Sequence, residues 1–220
     1  MNVLGFDTST AATSACLLRG DGQAFEVIPD EAALRAPPAH AAELMPALVR
    51  VLVDAGLGWG DVDAIAVGVG PGTFTGLRIG VATARGLAHA RGIELRPVSS
   101  LAALAAGIDA ELRLPLIDAK RGELFAALYR GDELLWPPFA ATPEAVVERV
   151  RDRTFTPLSA GDGSLRFRQT LEAGGIGIAA APAHVVRALH VCRLAEGVSA
   201  TPADAVLPDY LREPDAKPQR

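Results

Sequence analysis

Two aspartates end apolar runs, and through them this chain could handle a phosphate. Asp7 closes Val3-Leu4-Gly5-Phe6-Asp7 and is followed by the polar turn Thr8-Ser9-Thr10. Asp118 closes Leu114-Pro115-Leu116-Ile117-Asp118 and is followed by Ala119-Lys120-Arg121-Gly122. Each acid could hold a hydrated cation beside a phosphate, or could cap its own turn by accepting backbone N–H bonds. For Asp118 the structural reading is favoured, because its turn is bulky where a phosphate loop wants small residues. A third element, Gly70-Pro71-Gly72-Thr73-Phe74-Thr75-Gly76, lies between an apolar run and a helical segment. Its glycines permit a sharp turn and close backbone approach, Thr73 or Thr75 is a candidate cap, and the free N–H groups at the helix start could hold an anion. It reads equally as an ordinary strand-to-helix turn, and it lacks the Gly-Lys-Ser/Thr of a P-loop.

Other chemistry is sparse. The four histidines are His40, His89, His184 and His190, and none sits in an HxxxH or HExxH pattern. No metal site is expected. Cys16 lies in an apolar strand and reads as a small buried hydrophobe. It forms no CxxC or zinc spacing with Cys192, so a reducing cytosol is the default compartment. Ser99 and Ser100 precede an apolar helix and read as N-caps, and there is no GxSxG. No catalytic residue is expected. Of 220 residues half are hydrophobic and 21% charged, with a net charge of −5, which lacks the bulk electrostatics to bind nucleic acid unaided. The N-terminus has no basic region of a signal peptide, no apolar stretch reaches the ~18 residues of a membrane span, and a cytoplasmic location is expected.

The elements that would position these groups repeat. Each half opens with an apolar strand, an acid, a turn and a returning strand, Ser14–Leu18 in the first and Glu123–Tyr129 in the second. The repetition predicts two similar α/β lobes, 1–108 and 109–212, meeting within Gly107–Leu114, with a disordered tail at 213–220. In the first lobe, helices are expected at His40–Ala55, with Pro46 a candidate for its true start, from Thr75 to about Ala90, and at Ser99–Ala106, with strands at Asp63–Val69 and Leu95–Val98. In the second, a strand at Thr154–Ala160 leads into Gly161-Asp162-Gly163, and helices are expected at Pro143–Val150, Leu165–Ala173 and Pro182–Ala195, the last placing His184 and His190 on different faces. On a helical wheel, Leu44, Met45, Leu48, Val49, Val51, Leu52 and Val53 cover roughly 200°, more than the stripe somewhat over 100° that a helix on a sheet needs. The next helix carries small-residue ridges at four-residue spacing, Gly76, Gly80, Ala84, Ala88 and Ala82, Gly86, Ala90, which admit close helix packing. Either the monomer core or a partner helix would take up this surface.

Asp7-Thr8-Ser9-Thr10, Gly70-Pro71-Gly72-Thr73-Phe74-Thr75-Gly76-Leu77-Arg78-Ile79-Gly80, Asp118-Ala119-Lys120-Arg121-Gly122-Glu123 and Pro208-Asp209-Tyr210-Leu211-Arg212 together resemble the bacterial TsaB (YeaZ) family over nearly the whole chain. The resemblance implies the two-lobed actin/hexokinase/heat-shock-ATPase-like (ASKHA) α/β fold, with duplicated ribonuclease-H-like lobes and a reduced second lobe. It implies a non-catalytic role, without cofactor, in forming threonylcarbamoyladenosine on tRNA next to the anticodon. The partners implied are the transferase TsaD, bound through N-terminal-lobe helices, and the ATPase TsaE. A homodimer would form when the chain is alone, and tRNA would be met only through the complex. Carried over, the partner interface comprises His40, Leu44, Leu48, Val51, Leu52, Thr73, Phe74, Gly76, Arg78, Gly80 and Ala84. A vestigial nucleotide site comprises Asp7, Thr8, Ser9, Gly72, Asp118, Gly161 and Gly163. Positions that carry metal-binding histidines in TsaD correspond to Ser100 and Leu104, neither of which replaces imidazole. The competing reading is an autonomous ATPase or small-molecule kinase of the same fold; a protease lacks any constellation to support it.

Overall fold

The computed structural model describes residues 1–151 and 156–211. The first half runs β1 (Val3–Asp7), β2 (Ser14–Leu18), β3 (Ala24–Val27), α1 (His40–Asp54), β4 (Ala64–Gly70), α2 (Phe74–Arg91), β5 (Glu94–Ser99) and α3 (Ser100–Ala106). The second runs β6 (Leu112–Lys120), β7 (Glu123–Arg130), β8 (Glu133–Ala141), α4 (Pro143–Arg151), β9 (Leu158–Ala160), α5 (Asp162–Arg166), α6 (Arg168–Ala173), β10 (Gly177–Ile178) and α7 (Ala188–Ala195). The sheet orders are β3-β2-β1-β4-β5 and β8-β7-β6-β9-β10. In each, the strand that carries the aspartate pairs antiparallel with its hairpin partner on one side and parallel on the other. The duplication expected from the two Asp-turn hairpins therefore extends to the order and sense of every strand, with α5 and α6 standing where α2 stands in the first half. The second sheet is the smaller at one edge, where β9 has three residues and β10 two.

Burial explains the layering. β1 is buried at every position, as a central strand must be. The outer face of the first sheet is covered by α1 and α2, whose Leu44, Leu48, Val51, Leu52, Val81 and Ala84 join Phe6, Leu17 and Val67 in one cluster. On the second sheet, α4 and α6 supply Val146, Val147, Val150 and Leu171. Between the sheets lie α3 and α7, where Leu101, Leu104, Leu189 and Cys192 meet Val3, Cys16, Ile117 and Phe125.

Several expectations need correction. The helix expected at Pro182–Ala195 begins only at Ala188. His184 is held in the turn before it, accepting from the Gly161 N–H at 3.2 Å and donating to the Ala179 carbonyl at 2.8 Å. The same helix, expected in the second lobe, packs on β1 and β2 of the first sheet. Gly5 permits this, since a Cβ there would collide with Cys192 Sγ and stand 3.2 Å from the Ala188 carbonyl oxygen. The chain then stays with the first sheet: Thr201 bridges Leu95, Val206 joins the cluster under α1 and α2, and the Asp209 N–H donates to the Val69 carbonyl at 2.7 Å. Residues from α7 onward thus pack chiefly with 1–108, while α7 also meets Ile117 and Phe125 of the second sheet. Pro46 does not start α1, which begins at His40 and carries the proline inside. The helix expected at Leu165–Ala173 is broken at Phe167 into α5 and α6. β9 starts at Leu158, while Thr154 and Phe155, like the tail expected at 213–220, lie outside the described residues. Among the described residues no helix is long and apolar enough to cross a membrane.

Candidate functional site

The end of β6, the start of α1, the loop before α2 and residues 209–211 meet around a cleft of about 840 Å³. Its walls are the N-terminal ends of α1 and α2 with Gly72 and Thr73 on one side and Asp118 to Arg121 with Phe125 on the other. Among the expected nucleotide residues, Gly72 and Asp118 line it. Asp7, Thr8 and Ser9 are fully buried and do not line it, and neither do Gly161 and Gly163, where an added Cβ would meet the Leu116 carbonyl and the Leu124 side chain.

Asp7 spends its acceptor capacity inward. Oδ1 accepts from the Ser9 N–H at 2.8 Å and the Ser9 hydroxyl at 2.6 Å; Oδ2 accepts from the Ser100 hydroxyl at 2.6 Å. Ser100 Oγ in turn accepts from the Gly70 N–H at 3.2 Å, so Asp7 fastens the ends of β1, β4 and α3 together. Burial pushes its carboxyl above the ordinary range despite these donors. Gly68 has no side chain because any Cβ would overlap Asp7 Oδ2. Ser99 caps α3 through the Ala102 N–H as expected, whereas Ser100 is the first helical residue and serves Asp7 instead. Leu104 is buried between the sheets, so both positions matched to metal histidines are built into the packing. Among the described residues no group of three or more His, Cys, Asp or Glu is placed to hold a metal ion.

Asp118 is neutralised by the chain itself. Oδ1 accepts from the Lys120 N–H at 2.8 Å, and Oδ2 pairs with Lys120 Nζ at 2.9 Å and Arg166 Nη1 at 2.8 Å. Burial alone would raise its carboxyl, but the bonds from Lys120 and Arg166 outweigh burial and hold it below the usual range. Lys120 and Arg121 adopt φ of 64° and 55°, a conformation L-residues rarely take. The Asp118 N–H donates to Asp162 Oδ1 at 3.0 Å. Burial lifts Asp162 to about 6. A carboxyl whose native pKa is raised favours folding below its unfolded value of about 4 and loses that contribution as pH rises through about 6. Asp162→Asn, which keeps the Oδ1 acceptor, is expected to be the more stable protein at pH 8 by about 1 kcal/mol and to converge with wild type near pH 4. Denaturant unfolding at the two pH values checks this, and an unchanged difference between them would refute it.

Opposite this hairpin, the loop before α2 is tied to the first hairpin by the Thr73 N–H donating to the Ser9 carbonyl at 2.7 Å. Thr73 occupies the N-cap position of α2 but its hydroxyl makes no cap bond, and Thr75 lies inside the first turn. His40, 2% exposed, hydrogen-bonds Thr13 Oγ1 through Nδ1 at 2.8 Å, while its Nε2 has no partner. Burial lowers its pKa below the ordinary imidazole value. At the rim Phe74 stacks on Tyr210 at 5.4 Å, with Arg78 3.6 Å above the Phe74 ring and its Nε donating to the Tyr210 hydroxyl at 3.0 Å.

The helix faces require a correction. Leu44, Leu48, Val51, Leu52, Gly80 and Ala84, expected to face a partner, are buried in the chain's own core, as are His40 and Gly76. Gly76 and Gly80 lie on the first hairpin, where a Cβ would collide with the Thr8 carbonyl and the Thr8 hydroxyl respectively. What remains exposed is the neighbouring face of α1, with Met45 at 40%, Val49 at 45% and Val53 at 67%, and Phe74 at 42% on α2. On α2 the exposed small ridge is Ala82, Gly86, Ala90, and a Cβ on Gly86 would meet nothing within 4 Å. The surplus on the wheel exists, rotated by about one residue from the expected positions.

Two duplicated lobes around a cleft, each opened by an Asp-turn hairpin, define a two-lobed, actin-like α/β protein. A family model described as TsaD, tRNA N6-adenosine threonylcarbamoyltransferase, matches residues 27–135. The tRNA threonylcarbamoyladenosine biosynthesis protein TsaB of Bacillus subtilis is 31% identical across 99% of this chain and 96% of its own length. Its namesake in Escherichia coli is 34% identical across 74% and 72%. An uncharacterised Mycobacterium leprae protein is 33% identical across 98% of this chain, which spans 56% of that protein's length. A crystal structure from Pseudomonas aeruginosa, described as having similarity to peptidase YeaZ, superposes with a TM-score of 0.79 at 29% identity, covering 96% of this chain and 99% of that one. The chain belongs to the TsaB (YeaZ) family.

Proposed function

We propose that this protein is a non-catalytic subunit that activates a threonylcarbamoyl transferase of the TsaD type, with TsaE, in forming threonylcarbamoyladenosine on tRNA beside the anticodon. The observation that carries the reading is an asymmetry. Both strand-end acids are engaged by the chain's own donors, while α1 and α2 leave an apolar stripe and a small-residue ridge uncovered. A helix pair of a related lobe fits that surface by ridge-into-groove packing: the transferase in the complex, or a second copy when the chain is alone. This chain's relatives in Bacillus subtilis and Escherichia coli, tRNA threonylcarbamoyladenosine biosynthesis proteins, support the pathway. The net charge of −5 supports tRNA contact through the partners, and this reading places the protein in the cytoplasm. The interface residues of this reading are Met45, Val49, Val53, Phe74 and Gly86 in place of their buried neighbours.

The competing reading, an autonomous ATPase or small-molecule kinase, draws on the size of the cleft. It is disfavoured because Lys120 and Arg166 occupy the carboxylate that a magnesium–phosphate group would need. A reconstitution decides between them. Purified transferase, TsaE, tRNA, ATP and threonylcarbamoyl-adenylate should yield little modified nucleoside without this chain and at least tenfold more with it, while the chain alone hydrolyses no ATP above background. Turnover of ATP by the pure chain, or no stimulation by it, would overturn the proposal.

A further inference from the structure

Two long helices begin at the main cleft, and neither start is capped by a side chain. α1 opens after Ala39, which has no side-chain acceptor to offer, and the Thr73 hydroxyl makes no cap bond to α2. Alanine is among the poorest residues at an N-cap. The first backbone bonds run from the Ala42 N–H to the Ala39 carbonyl at 2.8 Å and from the Leu77 N–H to the Thr73 carbonyl at 3.0 Å. The N–H groups of His40 and Ala41 on one helix, and of Phe74, Thr75 and Gly76 on the other, therefore precede the ladders. All five residues line the cleft. A helix start carries partial positive charge, and here two of them converge.

Two side chains at the same place reinforce that charge. His40 reaches from the start of α1 to the first turn of α2, where its Nε2 stands 3.2 Å from the place of a Gly76 Cβ. The residue is 2% exposed and Nε2 has no partner. With Nδ1 accepting from the Thr13 hydroxyl, Nε2 is a donor that lacks an acceptor. On the opposite wall Lys120 shares Asp118 Oδ2 with Arg166. One carboxylate thus faces two cations, and a lysine ammonium has three N–H donors. Asp209, exposed at the rim, is the other acid of the lining.

We propose that the cleft binds a phosphate monoester without a metal ion, its phosphoryl group held by the N–H groups at the starts of α1 and α2 with His40 and Lys120 as side-chain donors, and its apolar part lying against Ile79, Phe125 and Leu211. Helix starts are ready-made phosphate sites, and three peripheral oxygens can serve two helices and a lysine together, where a carboxylate has only two. The cleft, at about 840 Å³, far exceeds a bare ion and falls in the range of organic ligands. A metal is not needed, because Asp118 is already spent on Lys120 and Arg166. The site also differs from one built on the two Asp-turn hairpins, since Asp7, Thr8 and Ser9 do not line it.

The test is titration calorimetry of the free full chain with phenyl phosphate at low ionic strength, with the histidine ring signals followed by NMR. Inorganic phosphate, benzoate, and ATP with and without magnesium form the other arms. Phenyl phosphate should bind at least fivefold more tightly than inorganic phosphate or benzoate and shift the His40 ring signals while leaving those of His89 in place. Ala39→Asp, which sets a competing carboxylate at the head of α1, should weaken binding at least tenfold, and Lys120→Gln at least fivefold, with melting temperatures close to wild type. Arg193→Ala, outside the cleft, should bind as wild type does. No binding of phenyl phosphate at tens of millimolar would overturn the proposal. So would binding that ignores both Ala39→Asp and Lys120→Gln, tighter binding of benzoate, or tight binding confined to ATP with magnesium. The measurement uses the chain alone, so its failure leaves the role beside the transferase to be decided by the reconstitution.

Discussion

Val49→Glu is expected to weaken association with the transferase at least 100-fold, about 2.7 kcal/mol, while moving the melting temperature by no more than a few degrees. Val49 is 45% exposed and stands one helical turn from both Met45 and Val53. Glutamate is a better helix former than valine, so the free chain has little reason to object. In the complex the same side chain would carry a desolvated, unpaired carboxylate into the centre of an apolar contact, the most damaging location for a charge. Gly86→Arg tests the adjoining ridge by a different mechanism. Nothing lies within 4 Å of a Cβ at that position, so the arginine is accommodated by the isolated chain but prevents a second helix from approaching closely. Leu48→Glu is the contrasting control: Leu48 is fully buried, so the charge should unfold the lobe rather than report on a partner. Titration calorimetry against the transferase, paired with thermal unfolding of each variant, separates the two effects. Full affinity in both Val49→Glu and Gly86→Arg would remove α1 and α2 from the interface.

The exposed stripe also shows what the sequence could and could not decide. A helical wheel correctly gives α1 more apolar circumference than one sheet can cover, because that count depends on residue types alone. Which part of the arc meets the sheet depends on how the helix is rolled about its axis, and that is fixed by Leu17, Phe6 and Val67 beneath it. Leu44 and Met45 are neighbours in sequence, and a rotation of about 100° exchanges their roles. The two glycine-alanine ridges of α2 are indistinguishable as strings; the hairpin carrying Thr8 selects one of them. The strand-end acids were legible because each follows a short apolar run and precedes a turn, a local signal. The neutralisation of Asp118 was legible only in part. Lys120 is two residues away, but Arg166 arrives through the placement of α5. Likewise Ala188–Ala195 displays a clear apolar face without saying which of two similar sheets it will cover. The glycine that admits it, Gly5, sits on the other half of the chain.

Gly76→Ala should destabilise the fold by about 2–3 kcal/mol, lowering the melting temperature by roughly 5–10 °C, although alanine is the better helix former by about 1 kcal/mol. Gly76 sits in the first turn of α2 where the helix rests on the first hairpin. Thr8 Oγ1 donates to its carbonyl at 2.8 Å, and a Cβ would overlap the Thr8 carbonyl oxygen while standing 2.6 Å from Thr73 Oγ1 and 3.2 Å from His40 Nε2. The Thr8 oxygen belongs to backbone that Asp7 and Ser9 already hold from the other side, so it has little room to retreat. Gly86→Ala, three turns further along the same helix, meets nothing within 4 Å and should instead stabilise by about 0.5–1 kcal/mol, raising the melting temperature by about 2 °C. Opposite signs for one substitution at two sites in one helix isolate packing from propensity, because the propensity term is shared. The pair also bears on function: if the Gly76 ridge served a partner, Gly76→Ala would weaken association and spare the free chain. Its expected signature is the reverse, a less stable free chain whose folded fraction still binds.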